Sequence, residues 1–366
     1  MMTARPRKVI TIVIFILLFF GLLCLYSSCH QKGIFVKKDI FVKQLLWVGV
    51  GWGVLFLASR YDYRSLKTWV IPLYVVSLLC LFYVLFSGRA IMGAQRWISL
   101  GEFSFQPSEL GKFALILTLA AYYSIKASYD LQARPRALGA GRGILLPLLI
   151  TLVPTGMVLL QPDLGTAIVY LFIFASVALL AEVRMRYLLS LAAAGLALMP
   201  LFWHFLKDYQ KSRLMVFLNP NTDPLGAGYT IIQSKIAIGS GRFFGKGWMS
   251  GTQSQLNFLA ERHTDFIFSV WGEEWGFFGS FVLVVLYALL IVSILRVAEL
   301  ARDMFGRLLA AGVAALVFFH AFINIAMNIG MCPVVGLPLP FMSYGGSSLV
   351  INMAAIGIVL NIARQK

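Results

Sequence analysis

The feature that most constrains this chain is a series of apolar stretches, each about as long as a bilayer is thick. The first of them, Val9–Ser28, is typical of the series. A membrane-spanning helix needs about 20 mostly apolar residues, and in lipid only helices and closed barrels satisfy every backbone polar group. The length of the stretches indicates helices, so the sequence predicts an all-α polytopic membrane protein.

The composition agrees with this class. Of the 366 residues, 60% are hydrophobic and only 13% are charged, and the mean hydropathy is +0.83. A soluble domain would carry about 25% charged residues. The net charge of +16 does not indicate nucleic-acid binding, because the basic residues are scattered between the apolar stretches. Membrane topology, anionic head groups and a phosphorylated substrate explain the charge better.

The apolar stretches divide into ten predicted spans. Every segment on the predicted cytoplasmic side contains Lys or Arg, as the positive-inside rule requires, so both termini are predicted to be cytoplasmic. The chain is expected to form one domain, residues 1–366, in the cytoplasmic (inner) membrane. The predicted spans are Val9–Ser28, Gln44–Ser59, Thr68–Ser87, Glu109–Ser124, Ile144–Leu160, Gly165–Ala181, Tyr187–Leu206, Phe266–Leu295, Leu308–Ile329 and Tyr344–Ala363.

Three connecting segments are long enough to matter for function. Lys207–Thr264 is predicted to be one long extracytoplasmic loop between the seventh and eighth spans. Gly88–Ser108 is expected to be an outer loop at the membrane interface, with Trp97 at head-group depth. Lys126–Arg142 is expected to be a basic inner loop.

The densest group of ionisable residues directly precedes the eighth predicted span. Glu261, Arg262, His263 and Asp265 lie together there, just before the apolar run. Asp265 is therefore predicted at the water boundary, where a carboxylate reaches both an aqueous sugar and a lipid-borne phosphate. The helix dipole keeps such a carboxylate ionised. The simpler interpretation is a helix cap, which is the commoner role of Asp at this position.

Other ionisable residues accompany Asp265. Glu273 and Glu274 lie about two turns into the predicted span, where carboxylates are costly and usually mark a function. A structural pair with a basic residue explains them equally well. His263 is a candidate proton relay. The four cysteines show no metal-binding spacing, so the sequence leaves the metal requirement open.

Two further groups of candidates come from other segments. Glu109 and Lys112 lie three residues apart on one helical face, either as a local ion pair or as part of a cavity beside Asp265. In the long loop, apolar residues flank both Arg213 and Lys235, which favours positions near the membrane. There they would hold a diphosphate by charge-assisted hydrogen bonds. A solvated loop is the simpler interpretation for most basic residues of this segment.

Six stretches resemble the SEDS family (shape, elongation, division and sporulation) and follow the family's order across almost the whole chain. The fifth stretch, the short N-terminal tail and the chain length resemble the family's elongation members more than its division members. The stretches are GAQRWI (Gly93–Ile98), FQPSELGK (Phe105–Lys112), LLQPDLGTA (Leu159–Ala167), DPLGAGYTIIQSKIAIGSG (Asp223–Gly241), TQSQLNFLAERHTDFIF (Thr252–Phe268) and PVVGLPLPFMSYGGSS (Pro333–Ser348).

The resemblance implies a peptidoglycan glycosyltransferase of cell elongation, which polymerises lipid II onto a nascent glycan strand at the outer face of the membrane. It also implies a ten-span fold and, within the elongation machinery, a class B penicillin-binding protein as crosslinking partner. The family's essential aspartate corresponds to Asp265, and its QPDLGT aspartate to Asp163. Its acid–base pair corresponds to Glu109 and Lys112, and its arginine after the seventh span to Arg213.

The chain departs from the family's usual pattern at two positions beside these motifs. Ala260 stands where the family usually has proline, and Arg242 where it usually has glycine. Both departures concern the conformation of the long loop and leave the family assignment unchanged.

The expected chemistry is an inverting glycosyl transfer. Asp265 acts as general base on the acceptor's sugar hydroxyl, which attacks the anomeric carbon of the donor, and a lipid diphosphate leaves. Arginine and lysine, or a divalent cation such as Mg²⁺ or Mn²⁺, would neutralise the leaving group. No carboxylate is needed as nucleophile, unlike in a retaining glycosidase.

Two other functions remain open at this point. A lipid flippase would explain the span count, but a transporter of this kind is typically built from repeated halves with a polar path, and the sequence shows neither. A non-catalytic scaffold for a penicillin-binding protein would need its apolar span faces and not Asp265.

Overall fold

The structure of the protein is a computed structural model. It describes residues 6–31, 34–87, 89–91, 94–100, 103–132, 141–206, 208–219, 223–224 and 226–365. These ranges are helical over most of their length, and several helices are long and apolar enough to cross a membrane. The predicted class, an all-α polytopic membrane protein, is confirmed.

The α-helices form a nearly continuous series along the chain. A 3-10 turn, Tyr63–Ser65, precedes the third helix, and a π-helical turn, Gly141–Leu145, precedes the fifth. In the described residues the helices are α1 (Pro6–Ser28), α2 (Lys38–Arg60), α3 (Leu66–Ser87), α4 (Pro107–Gln132), α5 (Leu146–Leu160), α6 (Leu164–Leu180), α7 (Met185–Ala197), α8 (Met199–Phe205), α9 (Asp208–Leu218), α10 (Ala227–Ser240), α11 (Thr252–Gln255), α12 (Ile267–Glu299), α13 (Met304–Ile329) and α14 (Gly346–Ile362).

Six helical segments of the described chain qualify as membrane spans by length and composition. Three shorter apolar helices, at Leu164–Leu180, Met185–Leu201 and Gly346–Ile362, accompany them. Helix α4 carries the charges of Glu109 and Lys112 in its first turns. The ten-span topology stays a prediction. The six segments are Pro6–Ser28, Lys38–Arg60, Tyr63–Phe86, Gly143–Leu160, Ile267–Glu299 and Met304–Ile329.

The chain groups into two compact units, each built from separate segments. The first unit contains residues 1–52, 207–291 and 317–352, and the second contains residues 53–206, 292–316 and 353–366. Asp265 belongs to the first unit, whereas Glu109, Lys112 and Asp163 belong to the second. The expectation of one membrane domain stays a prediction.

Regular structure occupies segments that the sequence analysis predicted as loops. The long loop contains α9, α10 and α11, and the segment after α3 forms a three-stranded antiparallel sheet. The first unit has a two-stranded sheet, formed by β1 (His30–Gln31) and β2 (Ile34–Phe35). In the three-stranded sheet after α3, the strands pair in the order β3 (Arg89–Ile91), β4 (Ala94–Leu100) and β5 (Phe103–Phe105). These strands are two to seven residues long, and most are too short for hydrophobic alternation to reveal them in the sequence.

Two helix boundaries also differ from the predictions. The single seventh span predicted over Tyr187–Leu206 is divided into α7 and α8, which meet at Leu198 just before Pro200. Proline lacks the amide N–H that a continuous helix needs and clashes with the preceding turn. Helix α4 continues to Gln132, into the predicted inner loop Lys126–Arg142. The middle of that loop, residues 133–140, lies outside the described residues.

In the second unit, an asparagine ties α14 to the end of α2. The Asn361 side chain donates to the Ser59 carbonyl at 2.9 Å and accepts the Tyr63 amide N–H at 3.1 Å. Close helix contact continues at Gly357, where a Cβ atom would lie 2.6 Å from the Leu55 carbonyl oxygen. The end of α2 and α14 are therefore held together by the Asn361 side chain, which hydrogen-bonds to two backbone groups, and by the close approach of the helices at Gly357.

In the first unit, α12 is interrupted near its N-terminal end. Gly276 has φ 66° and ψ −160°, which is not a helical conformation. The carbonyl groups of Glu273 and Glu274 accept hydrogen bonds from the amides of Lys246 and Gly247, both at 3.0 Å. The amides of Phe277 and Phe278 in turn donate to the carbonyls of Arg242 and Phe243, at 2.9 and 3.0 Å.

The segment Arg242–Gly247 therefore replaces the helical hydrogen bonds that the break removes. Backbone groups at membrane depth need such partners, because lipid offers none. Arg242 itself has φ 49°, in the left-handed region that favours glycine. The arginine that departs from the family pattern thus adopts the backbone conformation to which the family's usual glycine is suited.

We predict that replacing Gly276 by alanine destabilises the protein by roughly 3 kcal/mol or more. A Cβ atom there would lie 2.3 Å from the Gly245 nitrogen and 2.7 Å from the Phe243 oxygen, at a positive φ. Thermal unfolding of the purified variant in detergent measures the effect. Gly49→Ala is the matched control, because a Cβ at Gly49 meets no atom within 4 Å. Equal unfolding temperatures for the two variants would contradict this description of the break.

Candidate active site

Asp265 lies where α12 begins, as the sequence predicts. It is the second residue before Ile267, in a turn, and it is half-buried. Its neighbours Phe266 and Ile267 are buried in the apolar core of the first unit. The carboxylate therefore occupies the boundary between an apolar helix and an irregular segment.

Three consecutive carbonyl groups of this turn accept hydrogen bonds from other elements. The Tyr344 amide donates to the His263 carbonyl at 2.9 Å, and the Ser343 hydroxyl donates to the Thr264 carbonyl at 2.6 Å. The side-chain amides of Asn324 and Asn328 both donate to the Asp265 carbonyl, each at 3.0 Å. The main chain of the turn is thus fixed by α13 and by the segment before α14.

The sequence analysis missed these supporting residues. Asn324 and Asn328 are fully buried in α13, a mostly apolar helix. Two asparagines four residues apart within an apolar run could have been recognised in the sequence. Polar side chains within a membrane helix are costly and usually have a structural or functional role. Ser343 lies in a stretch that served only for the family resemblance, and Tyr344 served as the first residue of the tenth predicted span.

Arg262 is an anchor for the turn and not part of an exposed cationic surface. The side chain is 1% exposed. Its Nε donates to the Ser28 carbonyl at 2.7 Å, and Nη1 donates to the Asn257 side chain at 3.1 Å and to the Ser254 carbonyl. The guanidinium thereby joins the turn to the end of α1, to α11 and to the segment just after α11.

His263 is half-buried beside Glu261, with 3.8 Å between its Nε2 and the carboxylate. Burial lowers the pKa of His263 to about 4; the positive charges of Lys37 and Arg262 act in the same direction, and Glu261 opposes them. The imidazole is therefore neutral at physiological pH. A neutral imidazole can still accept or donate a proton, so the relay role stays a prediction.

Glu273 is held as a structural carboxylate. It is fully buried and accepts hydrogen bonds from the Lys246 ammonium at 2.7 Å, the Thr252 hydroxyl at 3.0 Å and the Gln253 amide at 3.1 Å. This is the pairing with a basic residue that the sequence left open. Glu274 is also buried and accepts a hydrogen bond from the Ser27 hydroxyl.

Arg213 and Lys235 both reach the segment that follows α13. The Arg213 guanidinium donates to the Val334 carbonyl at 3.1 Å and lies 5.8 Å from the centre of the Tyr209 ring. The Lys235 side chain covers Gly330, where a Cβ would lie 2.6 Å from its Nζ. Ser234, next to Lys235, donates to the Asn328 carbonyl at 2.6 Å. Two cations therefore stand near the end of α13, which also holds the Asp265 turn.

Buried polar atoms without a protein partner are concentrated in this part of the first unit. Within the described residues, eight such side-chain atoms belong to the segment from Gln253 to Trp275. An unpaired buried donor or acceptor costs about 1–3 kcal/mol. Such a concentration is typical of a place where bound water or a polar ligand supplies the missing partners.

The candidates of the second unit form local interactions. The Lys112 ammonium is 2.7 Å from the Glu109 carboxylate, and both side chains are almost completely buried. The local ion pair considered in the sequence analysis is thus present. Tyr170 of α6 donates to the Ser108 carbonyl at 3.0 Å, which brings α6 against the start of α4.

Asp163 caps α6. Its carboxylate accepts the Thr166 amide at 3.2 Å and the Thr166 hydroxyl at 2.9 Å, and it lies 3.6 Å from the Arg96 Nε. These contacts explain why a buried aspartate is tolerated there. Joint action of the second-unit residues with Asp265 stays a prediction.

These observations define a polytopic membrane protein with an ionisable cluster at the start of a broken membrane helix. Residues 7–366 match the family model described as cell cycle protein, for FtsW, RodA and SpoVE. The chain belongs to this family, and the resemblance derived from the six sequence stretches is confirmed.

Curated relatives cover nearly the whole chain. The peptidoglycan glycosyltransferase MrdB of Escherichia coli K12 is 40% identical over 352 residues, which is 96% of this chain and 91% of MrdB. A probable peptidoglycan glycosyltransferase FtsW of Trichlorobacter lovleyi is 39% identical over 373 residues, 98% of this chain and 93% of that protein.

Solved structures have the same fold. A structure described as a peptidoglycan synthase complex that coordinates polymerization and crosslinking contains a chain with a TM-score of 0.79 and 37% identity, with 97% of each chain covered. The crystal structure of the rod shape determining protein RodA of Thermus thermophilus gives a TM-score of 0.72 at 32% identity, covering 97% of this chain and 96% of that chain.

We predict that the protein loses stability as the pH falls from about 6.5 towards 4. In this range an unfolded histidine, with its ordinary pKa of 6.5, binds a proton that folded His263, with a pKa of about 4, does not bind. The unfolded state is favoured by up to about 3 kcal/mol at the acid end. Unfolding temperatures measured across this range test the effect, which His263→Asn should reduce. His204→Asn is the control, because His204 is exposed; an equal reduction there would contradict the assignment.

Proposed function

We propose that this chain is a peptidoglycan glycosyltransferase that polymerises lipid II at the outer face of the cytoplasmic membrane during cell elongation. The observation that carries the proposal is the Asp265 turn, whose three successive carbonyls are held by other elements while its carboxylate stays half-buried. The names of the relatives support the reaction class, and the name of the Thermus neighbour and the wording of the Thr252–Phe268 stretch support elongation.

The topology proposed for this function has ten spans with both termini in the cytoplasm. The basic residues of the predicted inner segments support it. The six long apolar segments, the three shorter ones and α4 supply ten helical regions for these spans. This topology puts Asp265 on the outer side, where lipid II presents its sugars.

Asp265 is the general base in the proposed reaction. It takes the proton of the GlcNAc 4-hydroxyl on the acceptor lipid II, and that oxygen forms a bond to the anomeric carbon of the donor's MurNAc. The bond from this carbon to the diphosphate oxygen breaks, and its electron pair leaves with undecaprenyl diphosphate. A well-placed base contributes about 10²–10⁴-fold to such a step, and one displacement inverts the anomeric centre.

Arg213 and Lys235 are proposed to neutralise the departing diphosphate. They are the two cations near the end of α13, close to the elements that hold Asp265. Within the described chain no three His, Cys, Asp or Glu side chains form a group suited to a metal ion. Because Mg²⁺ is usually bound by one or two carboxylates together with substrate phosphates, a divalent cation at the diphosphate stays a prediction, and the proposed steps do not depend on one. Glu109 and Lys112 are proposed to support substrate binding, and Asp163 to hold α6 in place.

A class B penicillin-binding protein is the proposed partner. Its transpeptidase activity would crosslink the strands that this chain polymerises. The support is the similarity to a chain from a complex that coordinates polymerization with crosslinking.

We predict that Asp265→Asn lowers the rate of lipid II polymerisation by about 10²–10⁴-fold, because the amide cannot accept the acceptor's proton. Gel analysis of labelled lipid II with purified protein, alone and with a class B penicillin-binding protein, measures the product. Asp39→Asn, at an exposed position in α2, is the matched control and should polymerise normally.

Full-length polymer from the Asp265→Asn variant would exclude the role of this carboxylate as base. Translocation of labelled lipid II into liposomes without polymer would favour a flippase. Normal growth of cells that contain only the Asp265→Asn variant would favour a scaffold.

We predict that Arg213→Met and Lys235→Met each lower kcat/KM for lipid II by on the order of 10–100-fold, because each removes a charged hydrogen-bond donor to the diphosphate. The same polymerisation assay over a range of lipid II concentrations measures the loss. Lys211→Met, two residues before Arg213 in α9, is the control. An equal loss in the Lys211 variant would show a general charge effect and contradict specific contacts.

A further inference from the structure

The side-chain amide of Asn328 stands between two backbone groups at the start of α12. Its Nδ2 donates to the Asp265 carbonyl at 3.0 Å, and its Oδ1 accepts the Ser269 amide at 3.2 Å and the Ser269 hydroxyl at 2.5 Å. A carbonyl and the amide four residues later are the two groups that an α-helix joins directly. The amide of Asn328 therefore takes the place of the helical hydrogen bond between these groups.

This inserted amide lies where α12 begins. The Ser269 amide also donates to the Phe266 carbonyl at 3.1 Å, a shorter-range bond than an α-helix makes. Asp265 is consequently held outside the regular helix, on a turn widened by one amide group. A direct hydrogen bond from the Ser269 amide to the Asp265 carbonyl would instead make Asp265 the N-cap residue of α12.

The position requires a side chain that both donates and accepts. Asparagine meets this requirement, aspartate cannot donate when ionised, and leucine can do neither. Asn324 adds a second donor to the Asp265 carbonyl at 3.0 Å and donates to the Leu337 carbonyl at 2.7 Å. Both asparagines are 0% exposed, so neither can contact a substrate directly.

We propose that Asn328, assisted by Asn324, is a positioning residue for Asp265. It fixes the main chain of the turn and so sets the carboxylate at the distance that proton abstraction requires. This inference rests on the proposed function of Asp265 as general base. A displacement of about 1 Å at a catalytic group can cost on the order of 10²-fold in rate.

The chain contains a matched control for this arrangement. Asn361 in the second unit also bridges a carbonyl and the amide four residues later, those of Ser59 and Tyr63. It is 3% exposed and ties α14 to the end of α2. Asn361→Asp therefore makes the same chemical change at the same kind of bridge, but in the other unit.

The experiment compares Asn328→Asp, Asn361→Asp and Asp265→Asn in the purified full chain with its crosslinking partner. Unfolding temperature, kcat and KM for lipid II polymerisation are measured for each, with rates expressed per folded protein. We expect Asn328→Asp to lower kcat by on the order of 10²-fold with little change in KM. Asn361→Asp should lower the unfolding temperature and leave kcat within about twofold of the wild type.

The outcomes separate the inference from the function on which it rests. If Asp265→Asn polymerises normally, the proposed function fails. If Asp265→Asn is inactive but folded Asn328→Asp keeps its kcat, only the positioning role is overturned. An equal loss of kcat in Asn361→Asp would also overturn it, because a structural effect would then suffice.

A second variant keeps the test decisive if Asn328→Asp does not fold. Asn324→Asp removes one donor to the Asp265 carbonyl and leaves the bridge to Ser269 intact. We expect it to lower kcat by on the order of tenfold at unchanged KM. A kcat equal to that of the wild type would overturn the proposal.

Discussion

The arrangement around Asp265 depends on hydrogen bonds to backbone carbonyls at the edge of an apolar core. Lipid and packed apolar side chains offer no partners to a carbonyl, so a turn survives there only if protein groups supply them. Asn324, Asn328, Ser343 and Tyr344 do so for three successive residues. Because these donors come from α13 and from the segment before α14, the irregular turn has a defined position.

The same constraint explains the other irregular part of α12. The break at Gly276 exposes carbonyls and amides, and the segment Arg242–Gly247 pairs with them. Glu273 adds a buried carboxylate to this junction, with Lys246 as its counter-charge. The carboxylates near the helix start are therefore of two kinds. Glu273 and Glu274 are buried and hydrogen-bonded inside the first unit, whereas Asp265 lies half-buried on a turn whose main chain is held by other elements.

Much of this could be predicted from the sequence. The apolar stretches identified most of the membrane helices, and the cluster before Phe266 located the start of α12, because both depend on local composition. The helices of the long loop, the sheet after α3 and the split of the seventh span depend on weak local signals or on tertiary partners, and they were missed. The hydrogen bonds from Asn324 and Asn328 to the Asp265 carbonyl could not be predicted from the sequence, because they depend on which helices pack together.

The central claim is that Asp265 itself receives the proton, and the pH dependence of the rate tests it most directly. The measurement is kcat/KM for lipid II polymerisation between about pH 3 and 8, for the wild type and for the residual activity of Asp265→Asn, over a range that spans the ordinary pKa of a carboxyl group. The account predicts that the wild-type rate falls on the acid side as one carboxylate is protonated, and that this fall is absent from the variant. An unchanged acid limb in the variant would contradict the account, because another group would then be the base.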